Sequence, residues 1–401
     1  MRMYAKFILE KKKNMPKHTF FILLAFVMFL SPAMAAEKTK PVIIGDSFPY
    51  TAFTGEGVLY KKGWTEAVRE INANGGLLGH PVKVVSRDHG ATPEEGLRVA
   101  QDLVIREKAD VLAGTGFASI TNAIANYTGK EKIPFVTMWN TTDAADGKQN
   151  DYMFSVISSE SLSVPLADYA AKLKVKRWAL IAPNFAYGRL VLKKFKERLK
   201  KLRPDVVFVA ERFPTVGKIN AAGEVMSLIK EKPEAIFSGL FASDFTAFVR
   251  AGNQRNFFDD KVIVAPEAGR RVYTKMVGKE LRGTWCVTGD PEVTTEGPAA
   301  AFYEGFEKRF RSQPDGYVYA GYLIYKFIFA AIEKAGSTDP DKVAKALEEV
   351  ELTTPLGIIR MNPQNHRSNY GTWVGRLQPT ETSAKLVDWE YKDAAPYLDF
   401  D

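Results

Sequence analysis

Residue types able to do bond chemistry are sparse in this chain. Of the four histidines, His18 precedes an apolar run, His80 and His89 flank a strand, and His366 lies in a polar turn; solvated imidazoles are expected rather than a metal site. Cys286 is the only cysteine, which excludes an intrachain disulfide and a cysteine-based metal centre. Within Gly283-Thr284-Trp285-Cys286-Val287 it reads as a buried, inert thiol on a strand. Gly114-Thr115-Gly116 begins like a dinucleotide fingerprint, but the third glycine and the acid about twenty residues on are missing. No P-loop, H-E-x-x-H or G-x-S-x-G run occurs, so nucleotide hydrolysis, zinc proteolysis and the serine hydrolase elbow lack support. The run Lys193 to Lys201 reads as a solvated helix face. No catalytic residue, metal or cofactor is expected.

Binding chemistry is better served. Open parallel sheets receive ligands outside the carboxyl ends of their strands, where helix N-termini offer unpaired N–H groups that suit a carboxylate. Ser119 and Thr121 stand in one such loop, and Asn140 and Thr141 in the next. Each hydroxyl can equally cap its own helix. Their placement at consecutive strand ends favours ligand contact for the set.

The elements that position them alternate along nearly the whole chain. Val42–Gly45 is suited to a buried strand, and Trp64, Ala67, Val68 and Ile71 mark one face of a helix that Gly75-Gly76 can end. Pro81–Asp88 is the next strand, and Thr92-Pro93-Glu94-Glu95 opens a helix as a capping box. Strands at 110–113 and 133–138 follow, and the rhythm restarts at Arg177–Ile181, with strands at 206–209, 235–238 and 262–264. Helices are expected near 187–201, 219–231, 244–253, 297–311, 317–335 and 340–350, and short strands near 356–361, 372–377 and 385–390. Two runs of β-α units imply an α/β fold of two doubly wound parallel-sheet lobes. With no low-complexity linker, the chain is expected to cross between them more than once.

Composition supports this frame. The chain has 401 residues, 46% hydrophobic and 25% charged, which is globular composition at a length that favours two lobes. The formal charge of +8 is concentrated at the start: removing residues 1–35, with six basic residues and one acid, leaves 49 basic against 46 acidic. No basic patch suited to nucleic acid remains. Phe20–Leu30 is an unbroken apolar run behind Lys17, followed by Ser31-Pro32-Ala33-Met34-Ala35-Ala36. This predicts a cleavable signal peptide over 1–35, with Met1 or Met15 as its start and a periplasmic location for the rest. At eleven residues the run is too short for a bilayer span.

The run Ile71-Asn72-Ala73-Asn74-Gly75-Gly76-Leu77-Leu78-Gly79, followed by a strand to Asp88, resembles a signature of type I periplasmic binding proteins of ABC importers. The branched-chain (leucine/isoleucine/valine) amino-acid-binding family is the nearest resemblance. Gly114 at a strand-to-helix turn, Ile133-Pro134-Phe135-Val136-Thr137, Tyr187-Gly188 and Pro266-Glu267 match in the same order, over roughly 41–400. The resemblance implies two lobes joined by a three-crossover hinge, here near 157, 288 and 356. Lobe 1 would be 36–157 plus 289–355, and lobe 2 158–288 plus 356–401. It also implies a monomeric, non-enzymatic protein that clamps a small ligand between the lobes and hands it to permease subunits in the inner membrane. A sensing subunit of the same fold, signalling to a membrane receptor, is the alternative.

The resemblance further implies site residues, and shows departures. Where such proteins commonly carry paired serines, this chain has Phe117 and Ala118. Trp139 and Asn140 precede Thr141, the first loop brings Phe48 and Tyr50, and Tyr187 and Phe241 occupy further contact positions. Glu267 matches the acid that takes a ligand ammonium; facing a simple carboxylate it would have to be protonated or turned toward Arg270 or Arg271, an arginine pair that equally fits an exposed loop. Rings at 48, 50, 117, 139, 187 and 241 favour an aromatic or extended apolar acid or amino acid over a short branched-chain amino acid. Two or three of those rings are expected to pack inside a lobe instead.

Overall fold

The computed structural model describes residues 40–140, 147–289, 300–354, 356–398 and 400. The segment read as a signal peptide lies outside them. In chain order the first elements are β1 (Val42–Phe48), α1 (Thr54–Ala73), β2 (Val82–Asp88), α2 (Pro93–Ile105), β3 (Val111–Gly114), α3 (Ala118–Glu131), β4 (Phe135–Asn140), β5 (Met153–Ser158) and α4 (Ser159–Ala170). The series restarts with β6 (Arg177–Ile181), α5 (Ala186–Leu202), β7 (Val207–Arg212), α6 (Ala221–Lys230), β8 (Ala235–Ser238), α7 (Ala242–Asn253), β9 (Val262–Gly269), α8 (Arg271–Val277) and β10 (Thr284–Gly289). Helices α9 (Ala300–Phe310), α10 (Gly316–Ala335) and α11 (Pro340–Glu349) follow, then β11 (Glu351–Thr354), β12 (Gly357–Arg360), β13 (Thr372–Pro379) and β14 (Ala384–Lys392).

The strands form two main sheets. The first is parallel throughout, in the order β2-β1-β3-β4-β5. The second repeats that order as β7-β6-β8-β9-β10 and is extended beyond β10 by β13 and β14. β13 runs antiparallel to β10, and β14 antiparallel to β13, so the second lobe is not purely parallel as expected. β14 follows β13 through a short hairpin, with Pro379 opposite Ala384, which forces the antiparallel sense of that pair. In each lobe the order reverses beside the first strand, which opens a crevice at the carboxyl ends of β1 and β3, and of β6 and β8.

Local rules explain most boundaries. The capping box is present: Thr92 Oγ1 accepts from the Glu95 N–H at 3.3 Å at the start of α2. Helix α1 ends before Gly75 and Gly76, both at positive φ. β5 and α4 had no counterpart in the sequence reading. β5 is buried at every residue and runs without a turn into α4, whose pattern is masked by the internal Pro165 and by burial almost all round. In the first lobe α1 and α10, each twenty residues long, cross at glycines. A Cβ on Gly63 would stand 2.1 Å from the Val318 carbonyl oxygen, and one on Gly321 2.3 Å from that of Tyr60. That approach brings Trp64 onto Tyr325, with ring centroids 5.7 Å apart.

Cys286 is buried on β10, and burial pushes its thiol up to about 11, which keeps it protonated and unreactive. The histidine expectation fails for two of the three described. His89 is fully buried after β2, and its Nδ1 accepts from the Ala91 N–H at 3.2 Å. His366 is buried between Met153 O and Glu348 Oε1, each 3.0 Å from a ring nitrogen, and stacks on Phe154. An imidazole is largely apolar, and one or two hydrogen bonds replace most of its water contacts. Among the described residues no group of three or more histidine, cysteine or acidic side chains is placed to hold a metal.

Candidate functional site

Strand-end loops of both lobes meet across one cleft, with a cavity of about 210 Å³. The first lobe supplies Ala52–Thr54 and Glu56 after β1, Gly116–Ala118 after β3, Trp139 at the end of β4 and Tyr317 at the start of α10. The second supplies Phe185 and Tyr187 after β6, Phe241 and Ala242 after β8, and Tyr273 on α8, while Ser159 opens α4. A second opening, about 680 Å³, lies at the far end of the second lobe beside the amino ends of β8 and β9. Its acids are committed: Asp260 pairs with Lys261 at 2.5 Å, and Glu234 accepts from the Lys176 and Arg177 backbone. The cleft, not that groove, gathers the strand-end chemistry.

Four phenylalanines organise the cleft. Phe53, Phe117, Phe185 and Phe241 occupy the N-cap positions of α1, α3, α5 and α7, and none makes a side-chain cap. Helices α2, α4, α6, α10 and α11 use Thr92, Ser158, Asn220, Asp315 and Asp339 there, each accepting from its own helix. Giving up a polar cap costs about 1 kcal/mol per helix. The four helices with phenylalanine at the N-cap are those whose N-cap rings enter the cleft; α8, with Arg270 at its N-cap, also lacks a side-chain cap and brings Tyr273 there. Their first N–H groups are left without a side-chain acceptor of their own, an arrangement suited to an anionic ligand group. Phe53 and Phe117 pair at 4.6 Å on one wall; Phe185, Tyr187 and Phe241 form a triangle with centroids 5.8 to 6.0 Å apart on the other.

The walls are held from behind. In the first lobe, Asp46 is fully buried and accepts from Tyr50 OH at 2.7 Å, Ser86 Oγ at 2.7 Å and Tyr60 OH at 2.9 Å. Burial raises its pKa, against the pull of those three hydroxyls. Asp88 Oδ2 takes the Thr51 N–H at 3.1 Å, so two acids pin the loop that ends at Phe53. Beside it, Gly114 at φ +121° lies against the Ser47 carbonyl, and Thr115 adopts φ +64°. Thr115 is kept there by hydroxyl contacts with Thr137 and Thr121, which aims the turn that carries Phe117. In the second lobe, a Cβ on Gly188 would stand 2.0 Å from the Pro183 carbonyl oxygen, so the turn carrying Phe185 and Tyr187 closes only on a glycine.

Of the residues expected to contact ligand, Phe117, Ala118, Trp139, Tyr187 and Phe241 line the cleft. Phe48 does not: it is fully buried and stacks on Tyr60 at 4.3 Å. Tyr50 is turned to Asp46 and Trp64, because a buried carboxylate needs its hydroxyl more than the cleft does. Ser119 is exposed on the outer side of α3, and Thr121 serves the hydroxyl cluster. The side chains of Asn140 and Glu267, and all of Thr141, lie outside the described residues. Arg270 is not part of an exposed pair but is buried. The sequence reading missed Phe53, Phe185, Tyr273 and Tyr317. A signal was present for Phe185: Phe-Ala recurs at 117–118, 185–186 and 241–242, each time after a strand.

Residues 49–383 match the family described as periplasmic binding protein. An amino acid binding protein of Pseudomonas aeruginosa is 26% identical over 360 residues, 86% of this chain and 91% of that one. The Leu/Ile/Val-binding protein of Escherichia coli K12 is 23% identical over 87% of this chain and 94% of its own. Among solved structures, a solute binding protein of an ABC transporter from Rhodopseudomonas palustris, in complex with 3,4-dihydroxybenzoic acid, superposes with a TM-score of 0.74 at 19% identity, covering 88% of this chain and 98% of that chain. A branched-chain amino acid transporter substrate binding protein from Streptococcus pneumoniae, in complex with isoleucine, gives 0.76 at 18% identity, covering 88% and 100%.

Proposed function

This chain belongs to the periplasmic binding protein family, and on that premise we propose that it captures an aromatic or extended apolar acid for an ABC importer. The coarser statement rests on kinship: it is a substrate-binding protein of amino-acid or aromatic-acid type, not an enzyme. The finer one rests on the four N-cap phenylalanines, which put rings on both walls and leave helix N–H groups for an acid. Size agrees, since an apolar cavity of about 150 Å³ admits a benzene ring and this cleft offers about 210 Å³. Among the described residues no helix is long and apolar enough to cross a membrane. In this reading residues 1–35 are a signal peptide and the exported protein works as a monomer with inner-membrane permease subunits.

The reading divides the chain by its sheets. The first lobe holds β1–β5 and α9–α11, the second β6–β10, β13 and β14. We place the third passage in 361–371, beyond the β11–β12 hairpin, rather than near 356. Asn140, Thr141 and Glu267 are proposed contacts of the ligand's polar end, with Glu267 serving any ammonium group. Calorimetry with leucine, isoleucine, valine, phenylalanine and benzoate tests the ligand class. Expected is an aromatic acid binding at least about tenfold tighter than leucine, with Trp139→Ala and Phe241→Ala each weakening it by about 1 kcal/mol. Submicromolar leucine binding with no aromatic response would overturn it.

A further inference from the structure

Arg270 lies between β9 and α8 of the second lobe and is 7% exposed. Its guanidinium carbon stands 4.8 Å from the ring centroid of Tyr317 and 6.0 Å from that of Trp139. Both rings belong to the first lobe, on α10 and β4, and both line the cleft. Tyr317 is fixed in the first turn of α10, where its N–H donates to Asp315 Oδ1 at 3.0 Å. Arg270 also borders a narrow space lined by Ile157 at the end of β5, Thr288 and Gly289 at the end of β10, and Tyr370 to Trp373 at the entry to β13. Those are the segments by which the chain leaves one sheet for the other. One side chain therefore borders the passages between lobes and packs on two rings of the ligand wall.

We infer that Arg270 is a positioning residue that couples occupancy of the cleft to closure of the lobes. A cation on an aromatic face holds strongly only when both are shielded from water. Separation of the lobes draws Tyr317 and Trp139 away from Arg270 and wets all three. A ligand that orders those rings favours the arrangement in which Arg270 is seated, and by linkage a seated Arg270 favours the ligand. The inference rests on the cleft being the ligand site.

The test uses the full exported chain with Arg270→Met, Arg270→Lys and Tyr317→Leu, thermal melts checking that each folds. Small-angle scattering is recorded without and with benzoate, phenylalanine or leucine, and affinities are measured by calorimetry. Expected for Arg270→Met is a larger radius of gyration without ligand, and affinity lowered about fivefold to tenfold for whichever probe the wild type binds. Arg270→Lys, which keeps a cation over the rings, should recover part of both. If Arg270→Met does not fold, Tyr317→Leu, which removes the ring and keeps the cation, must show the same two changes. Wild-type scattering and affinity in the folded variants overturn the inference. If the wild type binds none of the probes, the ligand reading fails, and the ligand-free profiles still decide: identical profiles in wild type and variants overturn the role of Arg270.

Discussion

The two walls of the cleft are built on the same strand order and carry phenylalanine at matching places, yet they are secured differently. After β1 and β6 stand Phe53 and Phe185; after β3 and β8 stand Phe117 and Phe241. In the first lobe the loop before Phe53 is tied to side chains, Asp46 through Tyr50 and Asp88 through Thr51 N–H. Backbone bonds close both loops, Phe53 N–H to Pro49 O at 2.7 Å and Phe185 N–H to Pro183 O at 2.9 Å, but in the second lobe the side-chain tie is an exposed one, Arg189 to Asn184 Oδ1 at 2.8 Å, rather than a buried acid. The topology thus dictates where rings enter, while the anchoring is free to differ. Both walls need a glycine against a backbone oxygen, Gly114 in the first and Gly188 in the second, but the first depends on a buried acid as well.

The largest effect expected from this contrast is at Asp46. Asp46→Leu leaves the hydroxyls of Tyr50, Tyr60 and Ser86 without their acceptor inside the first lobe. At about 1–3 kcal/mol for each stranded group, partly relieved by rearrangement, a loss of about 4 kcal/mol is expected. A denaturant midpoint unchanged from wild type would show that the first wall is not anchored there.

A somewhat smaller effect separates the lobes by pH. The edge strand β2 is followed by buried His89, whose pKa burial lowers to about 4, whereas β7 is followed by Phe213 and Pro214. A depressed histidine stays neutral in the fold while the unfolded chain takes up a proton, so stability is full above about pH 6.5 and falls between there and pH 4. The shift corresponds to about 3 kcal/mol at most. His89→Phe should flatten that part of the curve relative to wild type in parallel pH titrations of the midpoint. Parallel curves for the two proteins would exclude His89 as the source.

The smallest effect compares two glycines at like places. Gly188→Ala pushes a Cβ onto a backbone oxygen, whereas on Gly57 of α1 the nearest atom is the edge of the Tyr50 ring at 3.0 Å. Overpacking against backbone should cost about 2 kcal/mol in Gly188→Ala, and less than about 1 kcal/mol in Gly57→Ala, where added helix propensity offsets part of the strain. Equal melting temperatures for the two variants would show that the close approach of Gly188 to the Pro183 carbonyl does not secure the second wall.

Much of the fold was legible because its signals are local. The apolar runs of β1, β6 and β8, the cap at Thr92 and the stop at Gly75-Gly76 each need only a few neighbouring residues. β5 and α4 were not legible, since an element buried on all sides has no polar face to set a period. At the site, Phe117, Trp139, Tyr187 and Phe241 could be placed because strand ends can be counted along the chain. Tyr317 could not: it reaches the cleft only because α10 lies against α1 across their facing glycines.

The sequence by itself determined the two α/β series, the strand ends that meet a ligand and the aromatic character of the loops there. These follow from periodicity and residue type, which act over a few positions. Only the tertiary structure decided which rings face the cleft. Phe48 and Tyr50 went to the core because Asp46, itself buried by β1, demanded hydroxyl partners and a packed surround. Arg270 went inward because rings of the other lobe stood ready to receive its charge. A buried charge or polar group is satisfied by whatever the fold brings within about 3 to 6 Å, and that neighbourhood is not written in the spacing of the chain.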